Sequence, residues 1–262
     1  AGHVDITGLL EPHWDRIYRG FEDSHGHWAG GSIMVLQCMD IMIGFEDWTV
    51  RADEQLTRAQ FVKLLAEVLA LPDAHGQEMP FGDLDGHWAR PYVQRALAAG
   101  LIDAADYGEE FRPDEVIPRE EMAYLLVPAW EAYRAAHPEI VYPEPEEAGA
   151  FSDETEIGQK YVSRVKESAS LGLLKGYPEG YFRPKRGLTR GEAATVLTRL
   201  MGMSGSGTAL VVTLPRPGAG VEKGSIFVLG SAAAFEGTTN FRFRDENGEI
   251  VFDAYTTSTE GM

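Results

Sequence analysis

The sequence predicts a mainly α N-terminal domain of three helix-loop-helix repeats, followed by the opening strands of an all-β sandwich. Three observations carry this prediction. One set of residues recurs three times in nearly constant register. Each copy alternates helical periodicity with loops punctuated by Gly and Pro. After Met203 the texture changes to short strand-like runs separated by turn residues.

The first copy runs Phe21-Glu22-Asp23, His27-Trp28-Ala29, an apolar helix, Gly44-Phe45, then Leu56-Thr57-Arg58-Ala59-Gln60-Phe61. The second runs Phe81-Gly82-Asp83, His87-Trp88-Ala89, a helix to Gly100, Phe111-Arg112-Pro113-Asp114, then Ile117-Pro118-Arg119-Glu120-Glu121-Met122. The third runs Phe151-Ser152-Asp153, a helix to Gly172, the loop Gly176-Tyr177-Pro178-Glu179-Gly180-Tyr181-Phe182-Arg183-Pro184, then Leu188-Thr189-Arg190-Gly191-Glu192-Ala193. From the opening Phe to the Arg is 37, 38 and 39 residues, a register that chance does not hold three times. A unit of this size cannot bury its own apolar face and must pack on its neighbours. Repeats at about 10–72, 73–142 and 143–203 therefore form one domain, residues 1–203.

Within each copy the first helix starts near the Asp of the Phe-x-Asp turn. In the third copy Val162, Val165, Ala169 and Leu173 follow helical spacing. Gly100 and Gly172 stand where these helices stop, in the left-handed turn that Gly adopts cheaply. The second helix opens on a capping box, Thr57-x-x-Gln60 or Thr189-x-x-Glu192, worth about 1 kcal/mol per cap. In the second copy Pro118 sets the approach of the chain but supplies no cap. The acidic, Pro-rich stretch 142–149 reads as a connection between repeats, with Glu144, Glu146 and Glu147 in solvent.

Residues 204–262 open on the flexible joint Ser204-Gly205-Ser206-Gly207. Strands are expected at 209–214, 225–230, 239–244 and 249–255, with turns at 215–220 and 245–248. A sandwich needs about seven strands, so the chain reads as stopping partway through the domain. An uncovered sheet edge would invite strand donation between subunits.

Composition narrows the function. The net charge of −18 argues against nucleic acid, which is bound through clustered Lys and Arg, and suits an exported surface protein. No apolar run approaches the roughly 20 residues that cross a bilayer. The start at Ala1, without a basic and apolar leader, fits a mature secreted protein or a trimmed chain. Cys38, the single cysteine, reads as an inert core thiol. Asp23, His25 and His27 could face a metal, but the second copy keeps only Asp83 and His87, so no metal site is expected. No cofactor is expected, with structural calcium left open. No nucleophile–base pair or phosphate loop stands out, and the chain is read as non-enzymatic.

The Phe-x-Asp opening, the His-Trp-Ala, the Gly-Tyr-x-x-Gly-x-Phe-x-Pro loop and the Thr-Arg-x-Glu helix start together resemble the S-layer-homology family over about 180 residues. The resemblance implies a pseudo-threefold bundle built on the first helices, with grooves between neighbouring repeats. It also implies that the grooves bind a pyruvylated secondary cell-wall polysaccharide linked to peptidoglycan. Arg58, Arg119 and Arg190 would meet its carboxylates, since a guanidinium fork matches a carboxylate. Free backbone donors at the helix N-termini would add to the attraction. Trp28 and Trp88 would offer faces to sugar rings, although their size points to the core. Gly44, Gly176 and Tyr177 would line the loops, ordered by Asp23, Asp83 and Asp153, which read as helix caps sooner than as ligand contacts. The arginines, too, could serve as structural ion pairs.

The copies depart from this pattern unequally, so at least one groove is expected to be degenerate. The third lacks the Trp, with Tyr161 the nearest aromatic; the second lacks the Gly-Tyr; the first has Val50-Arg51-Ala52 in place of Phe-x-Pro. Arg190 stands in the best-matched copy and Arg119 in the least-matched. The runs Pro215-Arg216-Pro217-Gly218, Val228-Leu229-Gly230-Ser231-Ala232 and Phe235-Glu236-Gly237 resemble the immunoglobulin-like domain of bacterial spore-germination proteins. The leading reading is an anchor at the cell wall. The alternatives are a lattice or filament subunit that self-assembles, or associates with other surface-layer proteins, through the β domain, and the anchor portion of a longer chain carrying an enzyme or other cargo.

Overall fold

The computed structural model describes residues 21–203 and four strands beyond them, and the chain divides into two compact units, Ala1–Gly202 and Met203–Met262. The first unit is helical. Among the described residues its α-helices are α1 Gly30–Cys38, α2 Arg58–Val68, α3 Arg90–Ala98, α4 Arg119–Ala136, α5 Val162–Ser170 and α6 Arg190–Leu200. Among the described residues no helix is long and apolar enough to cross a membrane.

The expected local signals act as the sequence indicates. Thr57 and Thr189 each complete a reciprocal capping box, and Pro118 heads α4 with no side-chain cap. Gly100 and Gly172 follow α3 and α5 at φ 70°. Asp40 takes the same place after α1 at φ 56°.

The three repeats meet in a closed ring. The residue before each capping position donates to one neighbour and accepts from the other. Leu56 N–H donates to Leu188 O (2.8 Å), Leu188 N–H to Ile117 O (3.0 Å), and Ile117 N–H to Leu56 O (3.1 Å). All three side chains are fully buried. This ring marks the pseudo-threefold centre, and the helices that leave it are the second ones.

The expectation of a bundle built on first helices is therefore corrected. Helices α2 and α4 each pack on α6, at the centre of the unit. The first helices pack outside them, each on the second helix of the preceding repeat: α1 on α6, α3 on α2 and α5 on α4. Amphipathicity explains the order. The first helices bury narrow stripes such as Val93 with Ala96, or Val165 with Ser168, whereas α2 buries Ala59, Phe61, Val62, Leu65 and Ala66 around more of its circumference. Val162 and Ala169 are only half-buried.

Each Phe-x-Asp motif holds the loop that follows its first helix. Asp23 accepts from Val50 N–H and Arg51 N–H (2.8 and 2.6 Å), Asp83 from Phe111 and Arg112 (3.0 and 2.6 Å), and Asp153 from Phe182 and Arg183 (2.8 and 2.6 Å). In each pair the second donor, Arg51, Arg112 or Arg183, has left-handed backbone, at φ 51°, 54° and 58°. A two-oxygen acceptor aimed at consecutive amides stabilises a conformation that a side chain disfavours.

Helix α4 runs past an internal proline, Pro128, and buries Trp130 and Tyr133. The 142–149 connection is pinned to the unit: Tyr142 donates to Leu200 O (2.7 Å) and Glu146 N–H to Ser170 O (2.9 Å). Glu144, Glu146 and Glu147 are exposed.

In the second unit β1 Val211–Leu214 pairs antiparallel with β2 Leu229–Ser231, and β3 Thr238–Arg244 with β4 Ile250–Thr257. Within the second pair Phe241 lies opposite Ala254 and Phe243 opposite Phe252. The expected turns at 215–220 and 245–248, the Cys38 side chain and the closure of a sandwich lie outside the described residues.

Because the ring needs all three repeats, residues 21–203 should unfold as one cooperative unit. Leu188→Ala should lower the free energy of unfolding by about 3 kcal/mol, within the usual range for a buried leucine. Urea denaturation followed by helical circular dichroism checks both points; separate transitions for separate repeats would contradict the closed ring.

Candidate functional site

The second-helix arginines all reach across repeat boundaries. Arg58 Nη1 donates to Phe111 O (2.8 Å) and Arg112 O (2.6 Å) of the second repeat. Arg119 reaches Phe182 O (3.0 Å) and Lys175 O (3.4 Å) of the third. Arg190 reaches Val50 O (2.6 Å) and Ile43 O (3.1 Å) of the first. Beneath them the helix N-termini are already satisfied. The first two amides of α2 donate to Glu115 O and Pro113 O, those of α4 to Arg186 O and Pro184 O, and those of α6 to Glu54 O and Ala52 O. The expected free backbone donors for an anion are thus consumed in joining repeats, which leaves the side chains to do any anion binding.

Among the described residues two grooves open along these boundaries. The first is a cavity of about 290 Å³, and each repeat contributes to it. The first repeat supplies Ile41, Met42 and Ile43 from its loop and Gln60, Lys63 and Leu64 from α2; the second supplies Trp88 and the third Arg190. The second groove, about 200 Å³, repeats this plan one step round the pseudo-threefold. Its loop residues are Leu174, Lys175, Gly176 and Tyr177, its helix residues Glu192, Thr195, Val196 and Arg199, and its visitors Trp28 and Arg119.

The tryptophans are not in the core, contrary to the expectation from their size. Trp28 is 64% exposed and Trp88 49%. The preceding histidines explain why. His27 Nδ1 accepts from Ala29 N–H, and His87 Nδ1 from Ala89 N–H, both at 3.1 Å. Each imidazole folds back under the helix start while Ala29 and Ala89 are buried, so the residue between them is turned outward.

At the corresponding position of the third repeat, the residue before the N-cap Tyr161 is Lys160. It serves the boundary between the second and third repeats, where the pattern differs. Arg58, 7% exposed, makes a bidentate pair with buried Glu121, Nε–Oε1 2.6 Å and Nη2–Oε2 3.1 Å. Tyr107 donates to the same Glu121 (3.0 Å), and Tyr124 donates to Asp106 (2.9 Å). Lys160 Nζ stands 4.8 Å from the Tyr161 ring, 5.8 Å from those of Tyr107 and Tyr124, and 3.6 Å from an Asp106 oxygen. These side chains bind one another across this boundary.

Electrostatics separates the three arginines in the same way. For Arg58, burial pulls the guanidinium pKa down, but the Glu121 pair outweighs it and the net shift is upward. For Arg119, burial dominates and Glu192, 3.2 Å away, offsets it only in part. For Arg190, burial again dominates, opposed only by the fields of Glu54 and Asp23. Gln60 stands where the other boundaries have Glu121 or Glu192, and among the described residues no carboxylate pairs with Arg190 in its groove. Glu192 collects Arg119, Arg186 and the Tyr177 hydroxyl. Burial would raise its pKa, yet the Thr189 amide, Tyr177 and the two arginines hold it below its ordinary value.

The remaining expected residues sort by this geometry. Asp23, Asp83 and Asp153 order the loops and spend their oxygens on backbone amides. Gly44 and Gly176 lie against Phe21 and Phe151: an added Cβ would stand 2.0 Å and 2.8 Å from those rings. The glycines thus serve packing within the repeat, and Gly176 also lines a groove. Tyr177 carries Arg183 and Arg119 over its ring at 4.2 and 5.0 Å, and Phe45 carries Arg51 and Arg190 likewise at 3.8 and 5.3 Å. Among the described residues no group of three or more His, Cys, Asp or Glu is placed to hold a metal ion. Sequence reasoning passed over Phe45, Lys63, Lys175, Thr195 and Arg199. The signal was available: positions five and nine after each helix-start arginine share a face with the capping-box residue at position two.

Comparison with known proteins agrees with this architecture. The S-layer homology domain matches residues 20–62, 80–123 and 150–194, and the immunoglobulin-like domain of bacterial spore germination matches 209–262. The chain belongs to the S-layer homology family. It is 33% identical over 174 residues to an endoglucanase of Bacillus sp. (strain KSM-635), covering 66% of this chain and 18% of that protein. It is 29% identical over 175 residues to an S-layer protein of Bacillus thuringiensis subsp. finitimus, covering 66% and 20%. It is 29% identical over 113 residues to a cellulosome-anchoring protein of Acetivibrio thermocellus, covering 42% and 25%. The chain thus spans a quarter or less of each of these relatives.

Two outcomes follow. Arg58→Ala strands buried Glu121 and should cost about 3–5 kcal/mol of stability, clearly more than Arg190→Ala in the same urea titration. Glu192, with its depressed pKa, contributes stability that is complete above its ordinary value of 4.5 and is lost as pH falls through the lower folded value. The stability difference between wild type and Glu192→Gln should therefore shrink steadily below that pH; parallel pH profiles would contradict it.

Proposed function

We propose that the three repeats anchor a surface protein non-covalently to an acidic, peptidoglycan-linked cell-wall polysaccharide, with Arg190 and Arg119 meeting its carboxylates. One observation carries the reading. Two grooves each combine a desolvated guanidinium short of negative charge with a solvent-facing tryptophan. A pyruvate ketal fits this chemistry, because its fixed planar carboxylate suits a guanidinium fork and its sugar offers an apolar face to an indole. The cavities are the size of one or two sugar rings, too small for a folded partner. In this reading Arg58 stabilises the fold and makes no ligand contact, so the chain carries two working grooves. Family membership supports a place at the cell surface, and the cellulosome-anchoring relative supports an anchoring role.

The test is binding of the full chain to purified wall sacculi before and after acid removal of the polysaccharide. Binding should vanish with the polymer. Each of Arg190→Ala and Arg119→Ala should weaken it, by about tenfold or more for loss of a charge-assisted pair, and the double variant should abolish it. Undiminished binding by the double variant would sink the proposal.

A further inference from the structure

The two open grooves share a plan but not a charge pattern, and the difference lies on their helices. In the first groove the position five residues after the helix-start arginine is Lys63, and the position nine after it is Glu67, which pairs with Arg95 at 3.8 Å. In the second groove the same two positions are Thr195 and Arg199, and both line the cavity. The helix cation has therefore moved by four residues, about 6 Å along the axis.

Arg199 is the group the repeat architecture leaves unexplained. One of its nitrogens donates to Leu173 O at a long 3.4 Å, and among the described residues no carboxylate lies within ion-pairing distance. Partial burial depresses its pKa, and among the described residues no charge offsets the effect. Arg119 in the same groove is partly neutralised by Glu192, which also holds Arg186. Lys175 stands on the loop side, its backbone carbonyl accepting from Arg119. A half-buried cation with no counter-charge among the described residues favours a ligand that supplies one.

We infer that Arg199, with Lys175, forms a second anion subsite in the groove of the third repeat, so that this groove takes a saccharide bearing two anionic groups. The inference rests on the anchoring reading and adds to it. Arg119 and Trp28 hold the first acidic sugar, and Arg199 reads a second negative group further along the polymer. That group is a further carboxylate or a phosphate, which present the same charge-assisted acceptor to a guanidinium.

The indole N–H signals of Trp28 and Trp88 report the two grooves separately in the nitrogen-15-labelled full chain. Three probes separate the possibilities: a methyl glycoside with one pyruvate ketal, a disaccharide with two, and the single-ketal glycoside bearing a phosphate monoester. At Trp28 at least one two-anion probe should half-saturate at about tenfold lower concentration than the one-anion probe, the gain expected of one added charge-assisted contact. Whichever probe shows the gain identifies the second anion. Arg199→Gln should erase that preference at Trp28 and leave the Trp88 titrations unchanged, which also reports that the variant is folded. Arg199→Lys should keep most of the preference. An unchanged ratio in Arg199→Gln, equal loss for one- and two-anion probes, or loss in Arg199→Lys as complete as in Arg199→Gln would overturn the subsite while leaving the anchor intact. If neither indole responds to any probe, both readings fall.

Discussion

Three backbone hydrogen bonds joining Leu56, Ile117 and Leu188 into a ring are the constraint on which the rest of the helical unit depends. Each is worth only about 1 kcal/mol net, but together they close a cycle in which no repeat is complete alone. The bonds set the start of each second helix against the loop of the next repeat. The first helical amides then have loop carbonyls as partners, and the following arginine is thrown across the boundary. Burial of the three side chains at the centre excludes water from the ring and ties backbone register to core packing.

From that common frame the boundaries diverge through single substitutions. A carboxylate two residues after Arg119, Glu121, captures Arg58, and Tyr107 completes their buried polar network. A glutamine three residues after the first repeat's cap leaves the visiting Arg190 with no paired carboxylate among the described residues, beside an open cavity. The third boundary is intermediate, its Glu192 shared among two arginines and a tyrosine. The side chain opposite the arginine thus decides whether a boundary holds the fold together or stays available to a ligand.

The proposed anchoring requires a chain of net charge −18 to attract an acidic polymer. The surface field is repulsive at long range but screened within about 8–10 Å in salt. In that proposal the attraction comes from a few cations set in partly dry grooves, where the effective dielectric is low and a matched carboxylate gains most. Exposed indoles beside those cations add contact that salt does not weaken. General acidity and local recognition therefore do not conflict.

The sequence by itself determined the repeat, its threefold use, the caps at Thr57 and Thr189 and the left-handed glycines after α3 and α5. These depend on residues close in the chain or on spacing repeated in every copy, so local physics settles them. What only the tertiary structure decided was which helices lie inside, which way Trp28 and Trp88 face, and which arginine is spent. Arg58 and Glu121 are 63 residues apart, and Arg190 and Val50 140. Within each copy Arg58, Arg119 and Arg190 read alike. Their different fates arise because every groove is assembled from three repeats at once, and no single repeat contains the residues that its arginine will meet.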